Sequence, residues 1–334
     1  MNILCSFLIT GALATTVPDI IRENDIEGFK LKCANLRDTD LQAAMVEAIN
    51  YNHPGFVEYL LENGVDVTST DIQHNFLNLA ICNENNAALS MFLKKGVNPN
   101  NQLSLAFALV VENDEATWML LEAGADPNLS KYAGMTPLIL AVEKGKEDLV
   151  KLLLERGADP AIPDETGATP LIQAVRNKHH EIVRLLLNAA IPFDIDARNK
   201  VGMNALGYAC VEMVPETIQL LLQHGADPNA RNSEGSAALH YVLVGQIMLE
   251  NCLKESRNDE DEFSDEFGDE IQPEVPVDAP VHPHRFTVIK MLIERGADLY
   301  QENFNGFSPF DVIEENLNRG SFKNILEFIQ SLDY

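Results

Sequence analysis

His180-Glu181 begins like a zinc-binding helix, in which two histidines four residues apart hold the metal and the glutamate acts as general base. The residue four positions on is Arg184, so the second imidazole is missing and the ligand set fails. Gly145-Lys146 resembles the end of a phosphate-binding loop but lacks both the upstream glycine and the Ser or Thr that should follow. A calcium loop turning on Gly268 would need an oxygen ligand where Phe263 stands. Carboxylates are abundant, 51 Asp+Glu against 24 Lys+Arg in 334 residues, for a net charge of −27. None stands out as an acid–base pair, and most form a solvated face. No catalytic residue, cofactor or metal ligand is assigned, and the chain reads as non-enzymatic. The same charge argues against nucleic acid or an anionic membrane surface as the main partner, since both would repel it.

Other reactive groups narrow the reading little. Cys5, Cys33, Cys82, Cys210 and Cys252 form no Cys-x-x-Cys and lie in apolar, helix-like stretches, which predicts reduced core thiols. Residues 1–14, MNILCSFLITGALA, have the apolar run and the Ala12-Leu13-Ala14 cleavage shape of a secretory signal, but no Lys or Arg at the start. They are too few to span a bilayer, so no membrane insertion is expected. The alternative is a first helix covering the open end of the core. On that reading the protein is cytoplasmic; on the other it is secreted or translocated into a host cell.

The elements that position any site follow from a repeat. A closing glycine recurs at Gly64, Gly96, Gly124, Gly157, Gly225 and Gly296, with Ala190 in the equivalent place. The steps are 32, 28, 33, 33, 35 and 71 residues, so the last holds an insertion of about 38. Thr136-Pro137, Thr169-Pro170 and Ser308-Pro309 combine a side-chain cap with proline at the first helical position. Ala48, Ala80, Ala108, Ala141, Ala174 and Ala209 recur where neighbouring helices must approach closely. The triplets at 152–154, 185–187 and 220–222, all leucine, fill the space between layers. The closing glycine then ends the second helix with a positive φ.

This pattern closely resembles the ankyrin repeat, over roughly residues 40–250 and 285–334. The resemblance implies an all-α fold: an ankyrin-repeat α-solenoid of helix pairs with short β-turn fingers. The organisation expected is an apolar leader at 1–14, a degenerate capping repeat at 15–39, and repeats one to six plus the first helix of repeat seven at 40–254. An acidic insertion follows at 255–284, then the second helix of repeat seven and a C-terminal cap at 285–334. The Thr-Pro-Leu-His motif of the family keeps its histidine only at His240; Val46, Asn78, Ala106, Ile139, Ile172, Gly207 and Asp311 stand elsewhere. Packing is therefore expected to carry more of the stability. The short step before Gly124 predicts a truncated finger near Asn101-Gln102-Leu103.

The insertion holds 11 acidic residues against Arg257, with four prolines. Such composition cannot bury enough surface to offset its ordering entropy, which predicts a mobile loop. Phe263, Phe267 and Ile271, four apart, would share one face of a helix that folds on a partner's groove; a solvated loop with incidental aromatics is the plainer reading.

The family resemblance implies binding through finger tips and exposed first-helix positions. Transferred here, these include Tyr132, Met135, Lys200, Met203, Phe304 and Phe307 on the fingers, and Glu143, Lys144, Arg176 and Glu212 on the helices. Aromatics and methionines suit a protein-binding groove. Trp118 occupies a position that is polar in the other repeats, which predicts exposure, as a hot spot or as packing on the eroded neighbouring repeat. The reading is a monomeric scaffold or adaptor for a protein partner, with the acidic loop as a second contact. The rivals are an effector that uses the same surface on a host protein, and an enzyme or enzyme inhibitor with an unrecognised site. Replacing residues 255–283 by a short linker should leave cooperative unfolding intact; loss of cooperativity by circular dichroism would place the insertion in the core.

Overall fold

A computed structural model describes residues 17–33, 36–68, 75–129, 131–244, 284–315 and 320–331. The leader, most of the acidic insertion, and Phe263, Phe267 and Ile271 lie outside the described residues. The backbone divides into two compact units, residues 1–159 and 160–334.

The first unit is a stack of helix pairs: α1 (Val17–Arg22) with α2 (Ile26–Cys33), α3 (Asp38–Asn50) with α4 (Pro54–Glu62), and α5 (Phe76–Cys82) with α6 (Asn86–Lys94). Then come α7 (Ser104–Val110) with α8 (Asp114–Glu122), and α9 (Pro137–Glu143) with α10 (Glu147–Glu155). First helices pack on first helices, α1 to α3 to α5 to α7 to α9, and second helices on second helices, α4 to α6 to α8. The second unit repeats this plan with α11 (Pro170–Arg176), α12 (His180–Leu187), α13 (Ala205–Val211), α14 (Pro215–Gln223), α15 (Ala238–Val244), α16 (Arg285–Glu294), α17 (Pro309–Glu315) and α18 (Gly320–Gln330). Its first-helix layer is α11, α13, α15 and α17; α12, α14 and α16 lie behind it. No strand occurs among the described residues, only an isolated bridge between Tyr132 and Met135.

The repeat signals do what their chemistry requires. All six recurrent alanines are fully buried, at 0% exposure, so a larger side chain would force the first helices apart. Thr136 Oγ1 accepts from Ile139 N–H and Thr169 Oγ1 from Ile172 N–H, both at 3.3 Å, with Pro137 and Pro170 next in line. Gly124 closes α8 at φ +88°, in the left-handed region, with nothing near the missing Cβ; conformation alone selects glycine there. The predicted truncation is real: a single 3₁₀ turn, Asn101–Leu103, replaces the finger before α7, and Leu103 takes φ +66°.

Two expectations need correction. Packing does not stand alone where the histidine is missing, because buried asparagines supply hydrogen bonds. Asn113 caps α8, accepting from Ala116 N–H at 3.0 Å, and its amide donates to Ile81 O on α5 of the preceding repeat at 3.2 Å. Asn85 does the same for α6, accepting from Ala88 N–H and donating to Ile49 O on α3. The second correction concerns thiols. Cys33 and Cys210 are free and buried, and burial raises both thiols above their ordinary range. Cys82, half-buried at the end of α5, is disulfide-bonded.

The turn between the two helices of a pair also needs a left-handed residue. Gly145 fills it at φ +67°, but Glu84, Glu112, Lys178 and Met213 adopt φ between +52° and +62° with a Cβ. That conformation costs about 1–2 kcal/mol for an L-residue. Two substitutions separate these effects. Asn113→Ala should lower stability by about 1–2 kcal/mol, since it removes a cap and a hydrogen bond to the preceding repeat. Glu84→Gly should raise it by about 0.5–1 kcal/mol. Shifts of the urea midpoint in opposite directions would bear this out.

Candidate functional site

Fingers are the elements that project side chains away from the helix layers. Among the described residues the second unit has four, at 164–168, 199–203, 232–236 and 303–307, all built on one plan. The first residue is Asp or Asn, and its Oδ1 accepts from the fifth residue's N–H at 2.8–3.1 Å. The glycine at the fourth place donates its N–H back to the first residue's carbonyl. Fingers are tied to each other through backbone: Lys200 N–H donates to Thr166 O and Phe304 N–H to Glu234 O, both at 2.9 Å, while Ser233 Oγ donates to Val201 O.

The finger at 303–307 carries the most exposed aromatic among the described residues. Phe304 is 71% exposed, yet its ring is held in place. One edge packs on Gly235, where a Cβ would lie 2.9 Å from Phe304 Cδ1. The Arg231 guanidinium lies 5.3 Å from the ring centroid. Arg231 is itself fixed, donating from Nε to Gly235 O at 3.0 Å and from Nη2 to Glu302 O. Tyr300 and Phe307 are exposed alongside it in sequence.

In the first unit the finger is a tight hairpin. Tyr132 and Met135 exchange both backbone hydrogen bonds at 3.0 Å, and Ala133 and Gly134 between them have φ +47° and +73°, the signature of a type I′ turn. Tyr132 is exposed and Met135 half-buried.

The structure sorts the expected contact residues. Tyr132, Phe304 and Phe307 are exposed on fingers, and Lys200, Glu143 and Arg176 are exposed as well. Arg176 lies with its guanidinium 5.5 Å from the Tyr208 ring centroid. Lys144 and Glu212 are tied into ion pairs between adjacent repeats, Lys144 with Glu112 at 2.8 Å and Glu212 with Lys178 at 2.7 Å. Met203 is a correction: it is only 2% exposed and offers no anchor. It takes the fifth finger position, which turns inward; Ala168 and Ser236 at that place are buried too. Trp118 is exposed, but on α8, in the second-helix layer rather than with the fingers.

Sequence reasoning missed Arg231, which holds Phe304, and the asparagines that set the finger spacing. Asn128 donates its amide to Gly157 O at 2.9 Å and accepts from Asp159 N–H at 2.8 Å. Asn229 treats Gly296 O and Asp298 N–H in the same way, at 2.8 and 2.7 Å. A signal existed: Asn100, Asn128 and Asn229 each stand four residues after a closing glycine.

The failed zinc motif has ordinary partners. His180 Nδ1 is 2.8 Å from Thr217 Oγ1, joining α12 to α14, and Arg184 pairs with Glu181 at 3.5 Å. These helices border a shallow polar groove of about 260 Å³, lined also by Glu216, Gln219 and Gln223. Among the described residues, no three His, Cys, Asp or Glu side chains gather as metal ligands, and no helix is long and apolar enough to cross a membrane.

Comparison with known proteins agrees with this architecture. The family description "Ankyrin repeats (3 copies)" matches residues 103–199 and "Ankyrin repeat" matches 201–233. An ankyrin repeat protein of Acanthamoeba polyphaga mimivirus is 39% identical over 51 residues, which are 15% of this chain and 12% of that relative. Similar solved structures include the ankyrin repeat protein EF0377, at 21% identity and TM-score 0.52, covering 67% of this chain and 96% of that one. The ankyrin repeat domain of Bcl-3, described as a unique member of the IkappaB protein family, is 25% identical with TM-score 0.51, covering 58% and 91%. Residues 103–199 and 201–233 thus carry ankyrin repeats, and the fold class is the all-α ankyrin solenoid that the sequence implied. Ankyrin repeats are in general scaffolds for protein–protein interaction.

His240 links the third finger of unit two to the fourth. Its Nδ1 accepts from Ala237 N–H at 3.1 Å, which leaves the proton on Nε2 to donate to Phe307 O at 3.1 Å. Burial, with Arg231 nearby, pushes this imidazole below its ordinary value. The unfolded chain therefore takes the proton more readily than the folded one. The His240 contribution is complete above about pH 6.5 and is lost as pH falls from there through the depressed folded value. Urea unfolding of His240→Gln, which keeps a donor but cannot titrate, should lose less stability than the native chain between pH 7 and pH 5. Identical pH profiles would refute the assignment.

Proposed function

We propose that the chain is a non-enzymatic adaptor that holds a protein partner against its fingers and first helices. In unit two the principal anchor is Phe304, with Phe307 and Tyr300 beside it in the chain; in unit one the contact is Tyr132 with Met135. The observation that carries this reading is the immobilised, exposed Phe304. An aromatic ring already fixed by Arg231 and Gly235 loses little freedom when a partner covers it, which is what makes a hot spot effective. The exposed positions include both signs of charge, Lys200 and Arg176 in unit two and Glu143 in unit one, so the partner is not required to be basic.

The acidic segment at 255–284 is proposed as a second contact, suited to a basic surface, and the chain as a monomer that engages one partner through both. Phe304→Ala should weaken capture of the cognate partner about 30-fold, the equivalent of a 2 kcal/mol hot spot, with the melting temperature unchanged. Quantitative affinity capture from the native cell extract tests this, with Trp118→Ala as the comparison. Full capture by Phe304→Ala and loss by Trp118→Ala would move the interface to the second-helix layer.

A further inference from the structure

In unit two, a finger is covered on one side by the finger that follows, and the cover has constant chemistry. A Cβ built on Gly167 would lie 3.0 Å from Lys200 N; on Gly202, 2.3 Å from Ser233 N; on Gly235, 2.9 Å from Phe304 N. In each case the glycine is met by the second residue of the next finger, just after its leading Asn199, Asn232 or Asn303. The third residue's carbonyl accepts from that same residue: Thr166 from Lys200 N–H, Val201 from Ser233 Oγ, Glu234 from Phe304 N–H. These positions therefore need glycine twice over, for φ near +79° and for the backbone that lies against them.

The finger at 303–307 has the same shape and, among the described residues, no cover. Gly306 has φ +79°, yet nothing lies within 4 Å of its missing Cβ. The carbonyl matching Thr166 and Glu234 belongs to Asn305, and among the described residues it receives no hydrogen bond. Phe307, at the position buried in Met203 and Ser236, is 45% exposed.

We propose that the edge formed by Asn305, Gly306 and Phe307 docks an Asx turn of a partner protein: Asn or Asp, two further residues, then Gly. This deepens the adaptor reading and rests on it. The finger row itself supplies the template, because the edge continues an interface already made three times in the unit. The occupant's second residue donates its N–H to Asn305 O, its backbone closes over Gly306, and its side chain lies against the finger as Phe304 lies on Gly235. A second copy of this chain is the poorer occupant, because it carries the same net charge of −27 and the N–H groups of Lys200 and Phe304 are already bonded to neighbouring fingers.

The probe is a head-to-tail cyclic peptide containing Asn-Phe-Asn-Gly-Phe, titrated into the isotope-labelled full chain and followed by amide NMR. The amides of Asn305, Gly306 and Phe307 should shift saturably. The same peptide N-methylated on the residue after its first Asn should bind at least tenfold more weakly. Equal binding of both peptides, shifts confined to other residues, or no shifts would overturn the proposal. So would concentration-dependent shifts of these three amides without peptide, accompanied by a dimer mass, since that assigns the edge to a second copy. If Phe304→Ala abolishes partner capture while the peptide leaves Asn305 and Gly306 unmoved, the docking edge falls and the adaptor reading stands. If the peptide binds as expected while capture ignores Phe304, the reverse holds.

Discussion

Each stack depends on how closely adjacent first helices can approach. The six buried alanines set that distance, and every other feature is matched to it. Fingers placed at this spacing bring one turn's N–H within 2.9 Å of the next turn's carbonyl. Asparagine side chains can then span from one repeat to the next, as Asn113 does to Ile81. A wider spacing would break backbone bonds rather than merely loosen side chains, so the tolerance for a larger residue at these alanines is small. The exposed aromatic surface inherits its order from the same constraint: Phe304 is fixed because the finger beneath it sits at the right height.

The fold was legible because its signals are local and repeated. Thr-Pro caps, alanine contacts and closing glycines each report a backbone requirement that no other residue meets as well, and they recur at one period. The truncated finger near Leu103 could be read from a step length alone. What stayed hidden was chemistry between repeats. An asparagine in a turn looks like any other turn residue, and only the neighbouring carbonyl distinguishes Asn128 or Asn113 as a bridge. The missing family histidines therefore suggested a deficit that Asn85 and Asn113 fill in part.

The contact surface was less legible for a related reason. Position within a finger decides exposure, but the fifth place turns inward in 199–203 and stays open in 303–307. Met203 and Phe307 thus share a register and differ in fate, because burial depends on what the next element brings. Charged positions divided in the same way. Lys144 and Glu212 sit where exposure was expected, yet partners one repeat away hold both. Arg231 was overlooked because a basic residue in a turn carries no mark of the ring it will hold.

Four asparagines that bridge repeats share one property: each reaches main-chain atoms of its neighbour. Asn128 binds a carbonyl and an amide of the following turn, Asn229 does likewise, and Asn85 and Asn113 reach helix-end carbonyls. Main-chain atoms are the same whatever side chain is attached. One repeat can therefore be held firmly by its neighbour while its own exposed residues change freely. Grafting, duplicating or exchanging single repeats becomes a change of surface that leaves these main-chain joints in place, and the binding face is the part of this molecule most open to innovation.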